Sequence, residues 1–228
     1  MKAQFGRYVL AALVAMLALA MSSASVAQEH AEGAPHEFHD AQYWAKIFES
    51  PARAKWQKPD EVVKGLDLKP GETVVDIGAG TGYFTRRFAK AVGPSGDAIG
   101  LDIEPEMIDY MKADAKKVGL GNYDARVVKA DDPQLAPRSA DVVFFCDVLH
   151  HVDNRVAYLK KIGPALKPDG RVAVVDFKDT APFGPPASMR ITREHMIDEF
   201  RQAGYHLARE HNFLPYQYFL EFEPAPGK

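Results

Sequence analysis

Short β-branched or aromatic runs alternate with amphipathic stretches along most of the chain. The first run, Thr73-Val74-Val75-Asp76-Ile77, predicts a strand. Gly78-Ala79-Gly80-Thr81-Gly82 follows, and then Phe84, Phe88 and Val92 fall on one helical face until Gly93-Pro94 stops the helix. Residues 98–101 predict a second strand that ends at Asp102. Glu104-Pro105-Glu106 opens the next helix, with proline in the first turn, where its missing N–H costs nothing. Met107, Met111, Ala115 and Val118 line that helix and Gly119 ends it. Residues 125–128 and 142–146 predict strands three and four; the fourth is apolar throughout, as in a parallel strand buried on both faces. A helix starting at Asp153 or Asn154 runs through Leu166, Pro168-Asp169-Gly170 turns the chain, and residues 172–177 form strand five. Thr192 caps a helix ending near Gly204, and residues 205–211 and 216–222 are joined closely enough to pair antiparallel. The pattern is α/β: a doubly wound, mostly parallel seven-stranded sheet closed by a C-terminal antiparallel hairpin, without internal repeats.

Upstream of the first strand, Tyr43, Trp44, Ile47 and Phe48 suggest a short amphipathic helix over residues 41–48, Trp56 follows, and Asp60 caps a helix through Lys64 that Gly65 ends. At the start of the chain, Lys2 and Arg7 lead into a 13-residue apolar run, residues 9–21, followed by Ser25-Val26-Ala27. That is the layout of a secretory signal peptide cut after Ala27, so the expectation is export to the periplasm, or an N-terminal anchor with the domain outside the cytoplasm. The run is shorter than the ~20 residues that span a bilayer, and no stable membrane span is expected after cleavage. The chain thus divides into a signal peptide (1–27), a flexible lead-in with an N-terminal cap helix (28–58), and one domain (59–228). The lead-in carries His30, His36 and His39, but His36 and His39 lack other suitably spaced ligands, and no metal site is expected.

Composition narrows the class. At 228 residues, 46% hydrophobic and 26% charged, the chain is globular and large enough for one core. With 28 Lys+Arg against 31 Asp+Glu, it has no overall basic field to hold a nucleic acid. Its only cysteine, Cys146, excludes an intrachain disulfide and cysteine-based zinc or iron–sulfur sites; on an apolar strand it reads as a core residue.

In a doubly wound sheet the ligand lies beyond the carboxyl ends of the strands. Gly78, Gly80 and Gly82 stand there after strand one, where glycine lets the backbone turn tightly and approach a ligand. A dinucleotide fingerprint would need glycine where Tyr83 stands. Asp76 at the end of strand one suits an ammonium better than a pyrophosphate, and Asp102 at the end of strand two can accept hydrogen bonds from both hydroxyls of a ribose. Ordinary strand-closing roles explain each acid singly, but not the acid, glycines and acid together.

These residues resemble the class I S-adenosylmethionine-dependent methyltransferases. The likeness rests on Val74 through Gly82, on Gly100-Leu101-Asp102, on Asp141 through His151, and on Leu166-Lys167-Pro168-Asp169-Gly170-Arg171. The Leu149-His150-His151 block is similar to the small-molecule enzymes of the ubiquinone/menaquinone methyltransferase type. The resemblance implies a Rossmann-like methyltransferase fold and S-adenosyl-L-methionine as cofactor. Gly78, Ala79, Gly80 and Gly82 would lie under its methionine and ribose portions, Asp76 near its amino group, Asp102 on the ribose, and Ile103 over one face of adenine. Where the family often has Gly-Asp-Ala after strand three, this chain has Val128-Lys129-Ala130-Asp131-Asp132; Asp131, with Asp132 second, is the substitute near the adenine amino group. Because the sulfonium already makes the methyl electrophilic, catalysis is mainly positioning. Asp147 is placed to meet the ammonium or the acceptor, and His150, ahead of His151, is the candidate base, with packing or capping competing for each histidine.

Tyr43, Trp44, Phe48 and Trp56 could form an aromatic lid over a small apolar or aromatic acceptor, or simply pack on the domain. The proline-rich residues 181–188 would form the other wall, and Arg53 and Arg190 are candidates to hold an anionic group. Two rival readings are an exported binding module without turnover and a nicotinamide-dependent oxidoreductase, the latter disfavoured by Tyr83. The sequence identifies neither the acceptor nor the oligomeric state.

Overall fold

The computed structural model describes residues 40–226; the signal-peptide segment and the histidines of the lead-in lie outside the described residues. Seven strands form one sheet: β1 (Thr73–Ile77), β2 (Asp97–Asp102), β3 (Tyr123–Val127), β4 (Ala140–Cys146), β5 (Leu166–Phe177), β6 (Tyr205–His211) and β7 (Gln217–Pro224). Their order is β3-β2-β1-β4-β5-β7-β6. The first five are parallel, and β7 is inserted antiparallel between β5 and β6. This is the expected sheet with its C-terminal hairpin, and the order reverses between β1 and β4, where such sheets open a crevice.

Among the described residues, seven helices accompany the strands: α1 (Ala41–Phe48), α2 (Pro51–Gln57), α3 (Pro59–Gly65), α4 (Thr85–Val92), α5 (Pro105–Val118), α6 (Arg155–Ile162) and α7 (Arg193–Gln202). Adjacent residues of β4 serve opposite sides of the sheet. Phe144 packs with Phe84, Phe88 and Val74 on one side, while Phe145 packs with Leu159, Phe200 and Phe222 on the other. That two-sided burial is why β4 is apolar throughout.

Two departures from the sequence reading lie between α6 and the body of β5. The helix expected through Leu166 ends at Ile162, and Gly163–Ala165 forms a 3-10 turn instead. Gly163 keeps helical dihedrals but adds no helix propensity, and Pro164 has no N–H with which to carry the ladder on. The turn expected at Pro168-Asp169-Gly170 is a bulge inside β5: Ala140 pairs with Leu166, and the register then jumps so that Val142 pairs with Arg171. Pro168 and Asp169 are exposed there, so the proline's missing donor is tolerated.

The segment ahead of β1 is three short helices in series. Asp40 caps α1 by accepting from the Tyr43 amide at 3.0 Å, and Ser50 caps α2 by accepting from the Arg53 amide at 3.2 Å, with Pro51 in the first turn. Arg86 of α4 anchors the end of α1, pairing with Glu49 at 2.5 Å and with Asp114 of α5 at 3.0 Å. Among the described residues no helix is long and apolar enough to cross a membrane.

Candidate active site

The carboxyl ends of β1, β2, β4 and β5 each present an acid: Asp76, Asp102, Asp147 and Asp176. The glycine loop joins the first two. Its Gly78 and Ala79 amides donate to the Leu101 carbonyl at 2.8 and 3.0 Å, which ties the loop to the end of β2. Gly78, Gly80 and Gly82 all have positive φ, yet their surroundings differ. A Cβ on Gly78 would collide with the Val148 side chain, and one on Gly82 with Tyr123 and Met111. A Cβ on Gly80 would meet only the Phe48 ring, 3.4 Å away. Gly78 and Gly82 are therefore required by packing, whereas Gly80 leaves a cradle that only the α1 side chain covers. The Thr81 hydroxyl in the same loop is buried without a hydrogen-bond partner.

Asp76 is 3% exposed, and its Oδ2 accepts the Thr85 hydroxyl at 2.6 Å. Burial pushes its pKa up to about 7, with the Asp102 charge adding to the rise and the Thr85 bond opposing it. Both oxygens of Asp102 are oriented by backbone donors, Gly80 at 2.8 Å and Glu104 at 3.0 Å. Each oxygen keeps a further lone pair for a ligand hydroxyl. Burial raises the Asp102 pKa as well. Ile103 beside it is 50% exposed, an apolar side chain with a free face.

Asp147 has a left-handed backbone, with φ of 59°. Its Oδ1 accepts from Gln217 Nε2 at 2.6 Å, and its Oδ2 lies 3.4 Å from Arg53 Nη2 and 3.5 Å from Cys146 Sγ. Burial pushes its pKa up to about 6 despite the neighbouring Arg53. Gln57 completes the group, donating to Gln217 at 2.9 Å and to Cys146 Sγ at 3.0 Å. Burial pushes the Cys146 thiol well up, in keeping with a core residue rather than a nucleophile.

His150 sits in the 3-10 turn Leu149–His151, with Nδ1 3.2 and 3.3 Å from the two oxygens of Asp176. Both side chains are nearly inaccessible. His151 is exposed, its ring centroid 4.2 Å from that of His150. His150 also lines a cleft of about 430 Å³ together with Arg155, Met189, Ile191 and His195. Asp131 and Asp132 lie in a turn beyond β3. Asp131 is exposed and its carbonyl accepts from Lys161 of α6, while the Asp132 carboxylate caps the Gln134 amide at 2.8 Å.

The aromatic segments form two separate groups. Trp44 stacks on Phe48 above the glycine loop, whereas Trp56 joins Phe177, Phe183 and Tyr216 beside the end of β5. Arg190 is not free for an anion: its guanidinium donates to the carbonyls of Asp179, Ala181, Phe183 and Pro185 and so shapes the proline-rich loop. Three residues of the site went unnoticed in the sequence. Asp176 carried a signal, since it closes a strand as Asp76, Asp102 and Asp147 do; Gln57 and Gln217 carried none. Among the described residues, no group of three or more His, Cys, Asp or Glu side chains is arranged to hold a metal.

The profile of a methyltransferase domain family matches residues 68–215. The arsenite methyltransferase of Halobacterium salinarum is 34% identical over 122 residues, 54% of this chain and 31% of that protein. The demethylmenaquinone methyltransferase of Lactobacillus johnsonii is 36% identical over 124 residues, 53% of this chain and 49% of that protein. The chain thus spans between about a third and a half of the length of these curated relatives. A SAM-dependent methyltransferase from Aquifex aeolicus superposes with a TM-score of 0.74 at 24% identity, covering 79% of this chain and 96% of that one. The magnesium protoporphyrin IX methyltransferase of Synechocystis, solved with bound SAH, gives 0.58 at 20% identity over 74% and 83% of the two chains. At these identities the likeness is one of fold.

Proposed function

Because this chain belongs to the methyltransferase domain family, we propose that it transfers a methyl group from S-adenosylmethionine to a small apolar or aromatic acceptor. The observation that carries the reading is the join between Asp102 and Gly80: the carboxylate that would take the ribose is oriented by the amide of the one loop glycine whose outer face meets only the Phe48 ring. The donor set fits that cofactor. Asp76 and Asp147 offer carboxylates to an ammonium, the backbone of Gly78, Ala79, Gly80 and Gly82 runs beneath the methionine and ribose portions, and Ile103 offers an apolar face to adenine. Asp131, or Asp132 after it, is the candidate for the adenine amino group.

S-adenosylmethionine supplies the electrophilic methyl; the chain supplies position and, where the acceptor must lose a proton, a base. A neutral His150 donating Nδ1–H to Asp176 keeps Nε2 as the proton acceptor, with the ring fixed by a buried carboxylate. His151 is the second candidate. The aromatic group around Trp56 and Phe177 supports an apolar acceptor. Two relatives carry arsenite and demethylmenaquinone in their names, so small molecules are within the family's reach.

Titration of the protein with S-adenosylmethionine, its demethylated product and NAD tests the cofactor, with binding of the first two alone expected. Methyl-labelled cofactor with a cell-envelope extract then tests turnover. Binding of NAD alone would sink the reading, and cofactor binding without label transfer would favour a binding module. Export is part of the proposal, supported by the basic-apolar-small pattern of residues 1–27. N-terminal sequencing of the periplasmic fraction should find a form starting at or near Gln28; soluble cytosolic protein starting at Met1 would overturn it.

A further inference from the structure

Asp76, Asp102 and Asp147 gather at the glycine loop, and the guanidinium that meets Asp147 there comes from α2, outside the residues that the family profile matches. Arg86 is committed to Glu49 and Asp114, and Arg87 to Asp60 and the Tyr83 carbonyl. Arg53 is held differently. Its Nε donates to Gln57 and its Nη1 to the Phe48 carbonyl at 3.2 Å, while its Cζ lies 5.0 Å from the Tyr83 ring and 5.6 Å from the Phe48 ring. These contacts fix the plane of the group but leave Nη2 poorly served. Its partners are Asp147 Oδ2 at 3.4 Å and Cys146 Sγ at 3.8 Å, both beyond the ~2.7–2.9 Å of a good charge-assisted bond. The side chain is only 15% exposed, so water does little to compensate. Phe48, on the same lid, is the ring that covers Gly80.

The methionyl end of S-adenosylmethionine carries a carboxylate as well as an ammonium. Asp76 and Asp147 can receive the ammonium, with Asp102 on the ribose, but a carboxylate brought among these acids is repelled unless a cation meets it. We propose, resting on the cofactor reading above, that Arg53 binds the cofactor's α-carboxylate. The lid helix α2 then recognises the intact amino-acid tail, and Gln57, tied to Gln217 and Cys146, is the positioning residue that holds the guanidinium plane.

Calorimetric titration of wild type, Arg53→Met and Arg53→Lys with S-adenosylmethionine and with its decarboxylated analogue tests this, with thermal melts confirming folding. Wild type should prefer the intact cofactor. Arg53→Met should lose about 10- to 100-fold in affinity for it, the scale of a hydrogen bond to a charged group, and less than about threefold for the analogue. Arg53→Lys should recover part of the loss, since it restores a point charge without the fork. Equal loss for both ligands would make Arg53 a structural part of the lid only and overturn the proposal, as would no loss for either. If Arg53→Met does not fold, the wild-type preference and the lysine variant decide: absence of the preference, or a lysine variant that discriminates as wild type does, overturns it. Wild type that binds neither ligand would sink the cofactor reading itself, a result distinct from binding without discrimination.

Discussion

The β1–β2 side of the crevice and the β4–β5 side are built in different ways. On the first, the loop folds back on β2 through backbone bonds, and Asp102 is oriented by two amides, one of them only two residues away. On the second, the contacts run between side chains from distant parts of the chain: Arg53 to Asp147, Gln57 to Gln217, and His150 to Asp176. The first half depends on backbone conformation and carries little side-chain identity beyond glycine and aspartate. The second is specified by pairs, so each of its residues has meaning only beside its partner.

That contrast can be broken where it predicts most. If the chemistry resides in the side-chain half, His150→Ala should lower kcat by about 10²–10⁴-fold while leaving cofactor affinity nearly unchanged, measured by turnover and titration on the same preparation. Asp176→Asn should lower kcat less and shift the pH profile, because it loosens the ring without removing it. A comparable loss of cofactor affinity in His150→Ala would mean that the two halves are not separable.

The next effect is on stability. The folded pKa of Asp76 stands near 7 against 3.8 for the ordinary side chain, so the native state holds a proton that the unfolded chain releases between these values. Stability from this group therefore falls as pH rises from about 4 to about 7, by at most about 4 kcal/mol. Denaturant titrations across that range should show wild type losing stability relative to Asp76→Asn, even as the variant binds cofactor more weakly. A constant difference would mean that Asp76 is ionised throughout.

Within the loop, Gly78→Ala should destabilise the fold by about 2–4 kcal/mol, combining a left-handed backbone with a clash against Val148. Gly80→Ala should cost about 1–2 kcal/mol from the backbone alone and act mainly on cofactor affinity. Thermal melts beside titrations separate the two, and equal melting losses would contradict the different roles given to these glycines. For Asp102→Ala the expected loss is about 1.5–3 kcal/mol of cofactor affinity, through lost charge-assisted hydrogen bonds. A negligible loss in a folded variant would move the ribose contact elsewhere.

The same division governs what could be read in advance. Strand-closing acids and positive-φ glycines mark the sequence locally, so the β1–β2 half of the site was legible from residues 73 to 102, as the sheet and its hairpin were from the alternating runs of residues 73 to 222. Asp147 and His150 were legible too, being attached to the end of a strand. Gln57 and Gln217 were not, because 160 positions separate two amides that meet only after the sheet is complete. Arg190 was misjudged for the same reason: only the folded loop shows its donors spent on four carbonyls. The turn at Pro168-Asp169-Gly170 was chemically right but topologically wrong, since a bulge and a turn use the same residues and differ in what pairs on either side.

The insertion of β7 between β5 and β6 sets an order of events for a chain that leaves the ribosome from its amino end. β6 emerges first, yet it pairs only with β7 and has no seat in the sheet until β7 arrives. Until then β5 presents an open edge along Val172–Phe177, the kind of edge on which another chain can pair. Gln217, the first residue of β7, is also the residue that holds Asp147 and Gln57. The pocket is thus finished by the strand that seals the edge, and a nascent chain short of that strand lacks both a protected sheet and a complete site.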